Sequence, residues 1–438
     1  MKKIEDFGVS VPEILLPENI DVSSWSVIAC DQYTQDLDYW KRAEAATAGK
    51  SSTLNLILPE VYLGAADKPA RIEKIRKTMK EYLDGDVFAE PRKSMVYIER
   101  KTAFGRIRKG LVAQIDLETY EWKPFSKANI RATEATIVER IPPRMEIRRG
   151  APLELPHIML LVDDKDDLLV GGTGKAVKAA GKAPVYDGEL MCNGGSITGW
   201  AVETEAEIAG VTEAVAAIAE KNRAADGSTF LFAVGDGNHS LATAKAVWDE
   251  YKEKTGLKDS PVRYALVEIV NIYDAGLTFE PIHRVIFDCD VKGLISYLSD
   301  KLEGTLSELA SAGELDAAVK ASQADFGFAF KDNGEQKYIL LKTGIKELAV
   351  ARLQPEIDVF LKSAAKIDGK TPEIDYIHGS EETLKLGERD NAVGILLPPI
   401  AKDSFFETIN GRGPLPRKSF SMGEADEKRF YLECRKLF

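Results

Sequence analysis

Short apolar runs and amphipathic stretches follow one another along the chain, which predicts an α/β fold with a mixed sheet. Met95–Arg100 and Arg106–Asp116 have the pattern of two strands joined by a tight turn, so we expect a β-hairpin there. Thr204–Lys221 predicts a helix that opens with a capping box. Thr229–Val234 then predicts a buried strand.

The turn after this strand is the first candidate site. It carries two glycines, Gly235 and Gly237, and it leads into a predicted amphipathic helix from Ser240. A strand that ends in Gly-x-Gly and opens a helix presents free backbone N–H groups, which bind anions and above all phosphate. The alternative is a plain strand–turn–helix connection with Asp236 or Asn238 as the N-cap.

Two other polar stretches are candidates for ligand contacts. Ser26–Cys30 predicts an early strand that carries Asp31 and Tyr33 at its end. Arg131–Thr136 alternates, which would place Glu134 and Thr136 on one side of a strand. Arginines beside a carboxylate suit a phosphorylated or carboxylate substrate, although a solvated basic edge explains the same pattern.

The segment Gly171–Lys175 resembles a P-loop only superficially. A P-loop needs a glycine five positions before Gly174, where this chain has Leu169, and Ala176 replaces the hydroxyl that would bind magnesium. We therefore predict a glycine-rich turn without a nucleotide.

The composition and the net charge argue against several classes of protein. The 438 residues carry a formal net charge of −12, which argues against a general nucleic-acid or anionic-membrane binder. The four cysteines are far apart and no run approaches a membrane span, so we expect a cytoplasmic protein in a reducing compartment. No His-x-x-His or similar spacing predicts a metal site, and the oligomeric state is left open.

The domain prediction has three parts. Residues 1–288 are expected to form a main mixed-sheet domain that contains the turn. Residues 289–350 predict a small α/β unit of two helices and two strands, and residues 351–438 a C-terminal segment that returns to the main domain.

Three stretches resemble motifs of the domain-of-unknown-function 1015 family, in the family's order. Gly235–Ala244 is similar to its signature Ala-Asp-Gly-His-His-Arg-Tyr-x-Thr-Ala, Arg131–Thr136 to its His-Glu-x-Thr region, and Leu415–Ser419 to its Met-Pro-x-Lys-Ser end. The chain departs at Asn238, which replaces the first histidine, and at Ser240, which replaces the arginine. The charge of that arginine would have to come from another cation.

A second resemblance is confined to one motif. Residues 236–240 resemble Asp-Gly-x-His-Arg before a helix, the phosphate-binding motif of the ParB/sulfiredoxin-like fold, although Ser240 replaces the arginine. Some members of that fold are free-serine kinases, and relatives of the present family are associated with serine biosynthesis. This resemblance implies a ParB/sulfiredoxin-like nucleotide-binding element within the larger mixed-sheet core. It also implies ATP or ADP as the nucleotide, with Mg²⁺ as a candidate metal.

The anion-binding turn and the two resemblances together predict nucleotide-dependent phosphoryl transfer to a small metabolite, and the second resemblance implies free serine as the first candidate. The expected catalytic residues are Asp236, His239 and Glu134. The expected nucleotide contacts are Gly235, Gly237, Asn238, Ser240 and Lys245. The expected substrate contacts are Arg131, Thr136, Arg144, Asp31, Tyr33, Arg417 and Lys418. The alternatives are a phosphatase of a metabolite such as phosphoserine and a non-enzymatic ParB-like regulator.

Overall fold

The computed structural model describes residues 2–19, 21–367 and 369–438. The chain forms two compact units, of which the first combines Met1–Leu277 with Gly423–Phe438 and the second is Thr278–Met422. Within these described residues, no helix has the length and apolar character needed to cross a membrane.

The first unit is built on a ten-stranded mixed sheet. Its strands follow the order β10-β11-β4-β5-β13-β9-β12-β7-β6, and β1 pairs with β5. Two short ribbons, β2 with β3 and β8 with β21, complete the strands. The strands of this unit are β1 (Val9–Ser10), β2 (Glu13–Ile14), β3 (Arg92–Lys93), β4 (Met95–Lys101), β5 (Ile107–Asp116), β6 (Tyr120–Glu121), β7 (Ile130–Ala132), β8 (Leu153–Glu154), β9 (Met159–Val162), β10 (Tyr186–Glu189), β11 (Ser196–Val202), β12 (Phe232–Asp236), β13 (Tyr264–Asn271) and β21 (Arg435–Lys436).

Helices pack against both faces of this sheet, where apolar side chains form two buried clusters. One cluster of buried side chains includes Phe232 and Trp248, and a second includes Trp40 and Tyr431. Burial of these aliphatic and aromatic groups is the main force that holds the layers together. The helices of this unit are α1 (Val22–Trp25), α2 (Leu37–Ala46), α3 (Lys68–Asp84), α4 (Ile141–Arg148), α5 (Val170–Ala179), α6 (Glu205–Lys221) and α7 (Asn238–Thr255).

The second unit is an antiparallel sheet with its own helices. The strand order is β15-β17-β16-β19-β14-β18, and β20 pairs with β14. The predicted α/β unit of residues 289–350 lies inside it. Its elements are β14 (Phe279–Phe287), α8 (Val291–Lys301), β15 (Thr305–Leu309), α9 (Ala312–Lys320), β16 (Phe326–Asp332), β17 (Glu335–Lys342), α10 (Ala349–Ser363), β18 (Glu373–His378), α11 (Ser380–Leu386), β19 (Val393–Leu396) and α12 (Lys402–Arg412), followed by β20 (Phe420–Met422).

The predicted α/β class with a mixed sheet is confirmed, as are the hairpin of β4 and β5 and the capped helix α6. Thr204 and Glu207 form the capping box at the start of α6.

Two local predictions are wrong. Gly171–Lys175 lies inside helix α5 rather than in a turn. Glycine at position 174 allows this helix to approach the sheet, because an added Cβ there would lie 2.2 Å from Tyr97 Cζ. Ser26–Cys30 is an extended segment, not a strand; it makes a single isolated bridge between Ile28 and Phe430.

Candidate functional site

The candidate turn lies at the border of the large sheet that is formed by strand ends, not at an edge strand. Strands β12 and β7 are parallel and end there together, whereas β9 is antiparallel to β12 and begins there. The pairing of β12 with β9 shifts register between Val234 and Asp236, which places Gly235 in a bulge. This border thus collects the residues that follow β7, the residues that precede β9 and the turn itself.

Helix α7 begins directly at this turn. Gly237 adopts the left-handed conformation, with φ of 80°, and an added Cβ would lie 3.1 Å from Ile158 Cα. The first helical hydrogen bond runs from the Leu241 N–H to the Gly237 carbonyl. Among the described residues, no side chain accepts from the N–H groups of Asn238, His239 or Ser240, so these donors and the positive end of the helix dipole face outward.

The Asn238 side chain joins two strand ends. Its Oδ1 accepts from the Thr133 N–H at 3.2 Å, and its Nδ2 donates to the Val234 carbonyl at 3.3 Å and to Thr133 Oγ1 at 3.2 Å. Thr133 is fully buried. The amide therefore fixes the turn against β7, and only the backbone N–H of Asn238 points outward.

A lysine from the C-terminal segment provides a positive charge at the turn. Lys428 Nζ lies 3.3 Å from Asp236 Oδ2, and the lysine side chain is only 10% exposed. The other Asp236 oxygen, Oδ1, accepts from the Gly237 N–H at 3.0 Å. Sequence reasoning missed Lys428, since it lies almost two hundred positions away and belongs to no motif.

His239 is held as a neutral ring. Its Nε2 accepts from the Ile137 N–H at 3.3 Å, so the proton of the neutral imidazole is on Nδ1, which can donate to a ligand. Burial, together with the positive charges of Arg140 and Arg144, lowers the pKa of His239 to about 4, whereas the charge of Asp31 acts in the opposite direction. Two arginines thus place positive charge near the ring, and Asp31 places negative charge there.

Ser240 belongs to a chain of polar side chains. Its Oγ lies 2.7 Å from His157 Nε2, and His157 Nδ1 lies 2.8 Å from Tyr431 Oη. Asp31 Oδ2 lies 4.0 Å from the same His157 Nε2. The structure therefore brings Asp31 and Ser240 together, and it adds two residues that the sequence analysis did not select.

A small cavity opens beside Ser240. Its volume is about 140 Å³, and its walls include Ser240, His157 and Tyr431 on one side. The other walls are largely aliphatic and include Leu56, Ile57, Leu58, Met79 and Ile147. A larger concavity of about 1240 Å³ is lined by none of the predicted site residues.

The predicted basic residues of the first unit have protein partners. Arg131 is buried over the Phe230 ring and donates from Nε to the Ala128 carbonyl. Arg144 forms an ion pair with Glu60, with Nε 2.8 Å from Oε1. Both arginines therefore act first as parts of the protein's own structure.

Four other predicted residues lie in different parts of the first unit, and they are Glu134, Thr136, Tyr33 and Lys245. Glu134 and Thr136 follow β7 in the irregular segment before α4, instead of sharing a strand face. Tyr33 stacks on Tyr39, and its hydroxyl donates to Asp426. Lys245 forms ion pairs with acidic side chains on the flank of α7, which are Asp249 at 2.9 Å and Glu118 at 3.8 Å.

Arg417 and Lys418 belong to the second unit. Their convergence on the turn stays a prediction. Within the described residues, no group of three or more His, Cys, Asp or Glu side chains is arranged to hold a metal ion.

The C-terminal segment is anchored by a buried ionic network. Arg429 donates to Glu268 at 2.6 Å and to the Pro156 carbonyl at 3.0 Å, immediately before His157. Burial alone would raise the pKa of Glu268, but the charges of Arg108 and Arg429 outweigh it and lower that pKa. This network fixes the positions of Lys428 and Tyr431 at the site.

The model of the family named protein of unknown function (DUF1015) matches residues 15–360 of this chain. The chain belongs to the DUF1015 family. This confirms the family that the three sequence motifs predicted, and no curated protein matches the chain.

Solved structures resemble this member of the DUF1015 family only distantly. A free serine kinase variant in complex with AMP is 10% identical, with 74% of this chain and 92% of that chain covered and a TM-score of 0.39. A conserved hypothetical protein from Pyrococcus furiosus is 12% identical, with 74% and 94% covered and a TM-score of 0.35. SbnI from Staphylococcus aureus is 8% identical, with 71% and 82% covered and a TM-score of 0.35. We therefore base function on this chain's own side chains.

Proposed function

We propose that this protein transfers a phosphoryl group from a nucleotide, ATP or ADP, to the hydroxyl of a small metabolite, with free serine as the first acceptor to test. The observation that carries the proposal is the start of α7, where three outward N–H groups lie beside the ammonium of Lys428 and the neutral ring of His239. Backbone donors, a helix dipole and a cation are the groups that stabilise a transferring phosphoryl group.

In this proposal each group has a separate role. The N–H groups of Asn238, His239 and Ser240 bind phosphate oxygens, and His239 Nδ1 donates a further hydrogen bond. Lys428 neutralises charge in place of the arginine that the family signature has at position 240. Asp236 orients Lys428, and it is also the carboxylate in the turn that could contact Mg²⁺ carried by the nucleotide.

The electrostatic surroundings of His239 support an anion site independently of the helix end. Arg140 and Arg144 both lower the pKa of His239, so their positive potential reaches the ring. A phosphate bound there would be attracted by the same potential.

The test is ADP release from ATP with and without free serine, compared between the wild type and Asp236→Asn. We expect Asp236→Asn to keep ADP binding, because Lys428 remains, and to lose most of the transfer activity, because Lys428 is no longer oriented and the turn has lost its carboxylate. Full activity in this variant would contradict the proposed role of Asp236.

A second candidate function, hydrolysis of a phosphate monoester such as phosphoserine, is favoured by one observation. The pair of Ser240 and His157, 2.7 Å apart, has the geometry of a hydroxyl beside a base. Thermal shifts with ATP, ADP and phosphoserine separate the two functions, because a ligand stabilises the protein that binds it. Stabilisation by a nucleotide supports the kinase, and stabilisation by phosphoserine alone supports the phosphatase.

A further inference from the structure

The side chains of Ser240, His157 and Tyr431 form a polar chain, which is separate from the phosphate contact proposed for the backbone N–H of Ser240. A hydroxyl within hydrogen-bond distance of a base, with that base oriented by a third group, is the arrangement that activates a nucleophile. The two distances, 2.7 Å from Ser240 to His157 and 2.8 Å from His157 to Tyr431, meet this requirement. His157 is 11% exposed at its side chain, and Tyr431 is buried.

The surroundings of Tyr431 indicate the direction of the hydrogen bonds. The Tyr431 hydroxyl contacts the Cys30 thiol, and burial raises the pKa of both groups, so both remain protonated near neutral pH. In this arrangement the Tyr431 hydroxyl donates to the Cys30 sulfur. Its oxygen then accepts from the Cys30 N–H, at 3.2 Å, and from His157 Nδ1–H. His157 Nε2 then has its lone pair directed at the Ser240 hydroxyl.

The position of Ser240 in the helix brings this hydroxyl to the phosphate site. Ser240 is the third residue of α7, and its own N–H is one of the three outward donors. A phosphoryl group bound by these donors lies next to Ser240 Oγ, and the helix dipole stabilises negative charge that develops there. The cavity beside the pair has an aliphatic wall of Leu56, Ile57 and Leu58, and it is also lined by Glu60, Arg144 and Arg148.

We infer that Ser240 is a nucleophile and His157 its base, and that the enzyme passes through a phosphoserine at position 240. A bond forms between Ser240 Oγ and the phosphorus, and the bond from phosphorus to the leaving oxygen breaks with its electron pair on that oxygen. The Ser240 proton moves to His157 Nε2, where the Asp31 carboxylate, 4.0 Å away, stabilises the imidazolium.

In the second step an acceptor hydroxyl, or water in hydrolysis, attacks the same phosphorus. The bond from Ser240 Oγ to phosphorus breaks, His157 returns its proton to Ser240 Oγ, and the acceptor's proton leaves to solvent. This inference rests on the proposed phosphate site, and it holds for either the kinase or the phosphatase.

The experiment has one arm that depends on the phosphate site. The wild type, Ser240→Ala, His157→Gln and the control Thr255→Ala are mixed with ATP, quenched in acid and digested, and the peptides are measured by mass spectrometry. We expect one phosphoryl group on Ser240 in the wild type and the control, none in Ser240→Ala, and formation at least about tenfold slower in His157→Gln. Thr255 is a matched hydroxyl at the far end of the same helix.

The other arm is independent of nucleotide binding. Diisopropyl fluorophosphate reacts with an activated serine, which forms a bond to phosphorus as fluoride leaves, so labelling of Ser240 in the wild type needs no variant to fold. Calorimetry with ADP is run in parallel. If ADP binds and neither reagent modifies Ser240, the nucleophile is overturned while the proposed function stands.

The remaining outcomes are also decisive. If ADP does not bind but the fluorophosphate labels Ser240, the nucleophile stands and the nucleotide function fails. The thermal unfolding curve of His157→Gln checks that this variant is folded. If the folded variant is modified as fast as the wild type, the role of His157 as the base is overturned.

Discussion

Gly237 combines two demands on a single residue. Its φ of 80° is in the left-handed region, and an added Cβ would lie only 3.1 Å from Ile158 Cα. Gly256, at the other end of α7, has φ of 72° but open space around it. The two glycines therefore share the backbone strain and differ in the steric contact.

We predict that Gly237→Ala lowers the free energy of unfolding by more than Gly256→Ala does. Each change costs about 1 kcal/mol for the positive φ, and Gly237→Ala costs roughly 1–2 kcal/mol more because Ile158, just before β9, must shift away from the new methyl group. Urea denaturation of both variants measures the difference. Equal losses would mean that Ile158 is not close to the turn.

His239 gives a prediction for pH. Its pKa of about 4 lies below the usual 6.5, so the ring is neutral at pH 7, and a bound phosphate would favour the charged ring and raise its pKa. Binding that raises a pKa strengthens as pH falls towards that pKa. We expect the affinity for inorganic phosphate at His239 to rise between pH 7 and pH 5 after correction for the phosphate's own ionisation.

The histidine resonances in NMR measure this directly. In the free protein the His239 signal should titrate with a pKa of about 4, and phosphate should move the midpoint upward. A midpoint that stays the same with phosphate present would place the anion elsewhere.

At the scale of elements, the site depends on a C-terminal segment whose residues 428–434 belong to no helix or strand and form isolated bridges at Phe430 and Cys434. The segment is fixed by Glu268 of β13, which pairs with both Arg108 and Arg429. All three side chains are buried. Breaking such a network leaves an uncompensated charge in the interior, which costs more than the pair itself contributes.

We predict that Glu268→Gln lowers the free energy of unfolding by about 3–5 kcal/mol, because two buried arginines lose their shared carboxylate. The matched control is Glu250→Gln, whose carboxylate pairs with Arg149 and Lys254 at the surface, where solvent screens the interaction, so we expect a much smaller loss. Denaturation monitored by circular dichroism compares them. Similar losses in the two variants would contradict the buried network.

The elements themselves were largely predictable from the sequence. Periodicity identified the hairpin of β4 and β5, helix α6 and the strand and helix around the turn, since their apolar faces are continuous in sequence. The failure at Gly171–Lys175 has a physical cause: glycines in a helix are read as a turn when the close contact with Tyr97 is unknown.

The side chains that meet at the turn were less predictable. Three of them, Lys428, His157 and Tyr431, reach it through contacts between residues that are 83 to 274 positions apart in the sequence. No local pattern encodes such contacts. Asn238 was identified as a site residue from its motif, but its bonds to Thr133 and Val234 required the register of β7 with β12.

At the scale of the whole molecule, the proposed phosphate contacts all lie in the first unit. The two ends of the second unit lie side by side, because Phe279 at the start of β14 pairs with Met422 at the end of β20. A short linker can therefore join residues 277 and 423.

We predict that the chain without residues 278–422 folds and binds ADP as tightly as the full chain does. Calorimetry and thermal unfolding measure both properties. An affinity roughly tenfold lower in a folded variant would mean that the second unit contributes to nucleotide binding, with Arg417 and Lys418 as the first residues to substitute.

The central claim is that the turn at residues 235–240 binds nucleotide phosphate with the help of Lys428. Isothermal titration calorimetry with ADP tests it most directly, on the wild type, Lys428→Met and the control Lys252→Met, a lysine on the outer face of the same helix α7. We predict that ADP binds the wild type and Lys252→Met equally and Lys428→Met at least about tenfold more weakly, because a partly buried cation beside the phosphate is lost. Equal affinity in all three proteins, or no binding to the wild type, would contradict it.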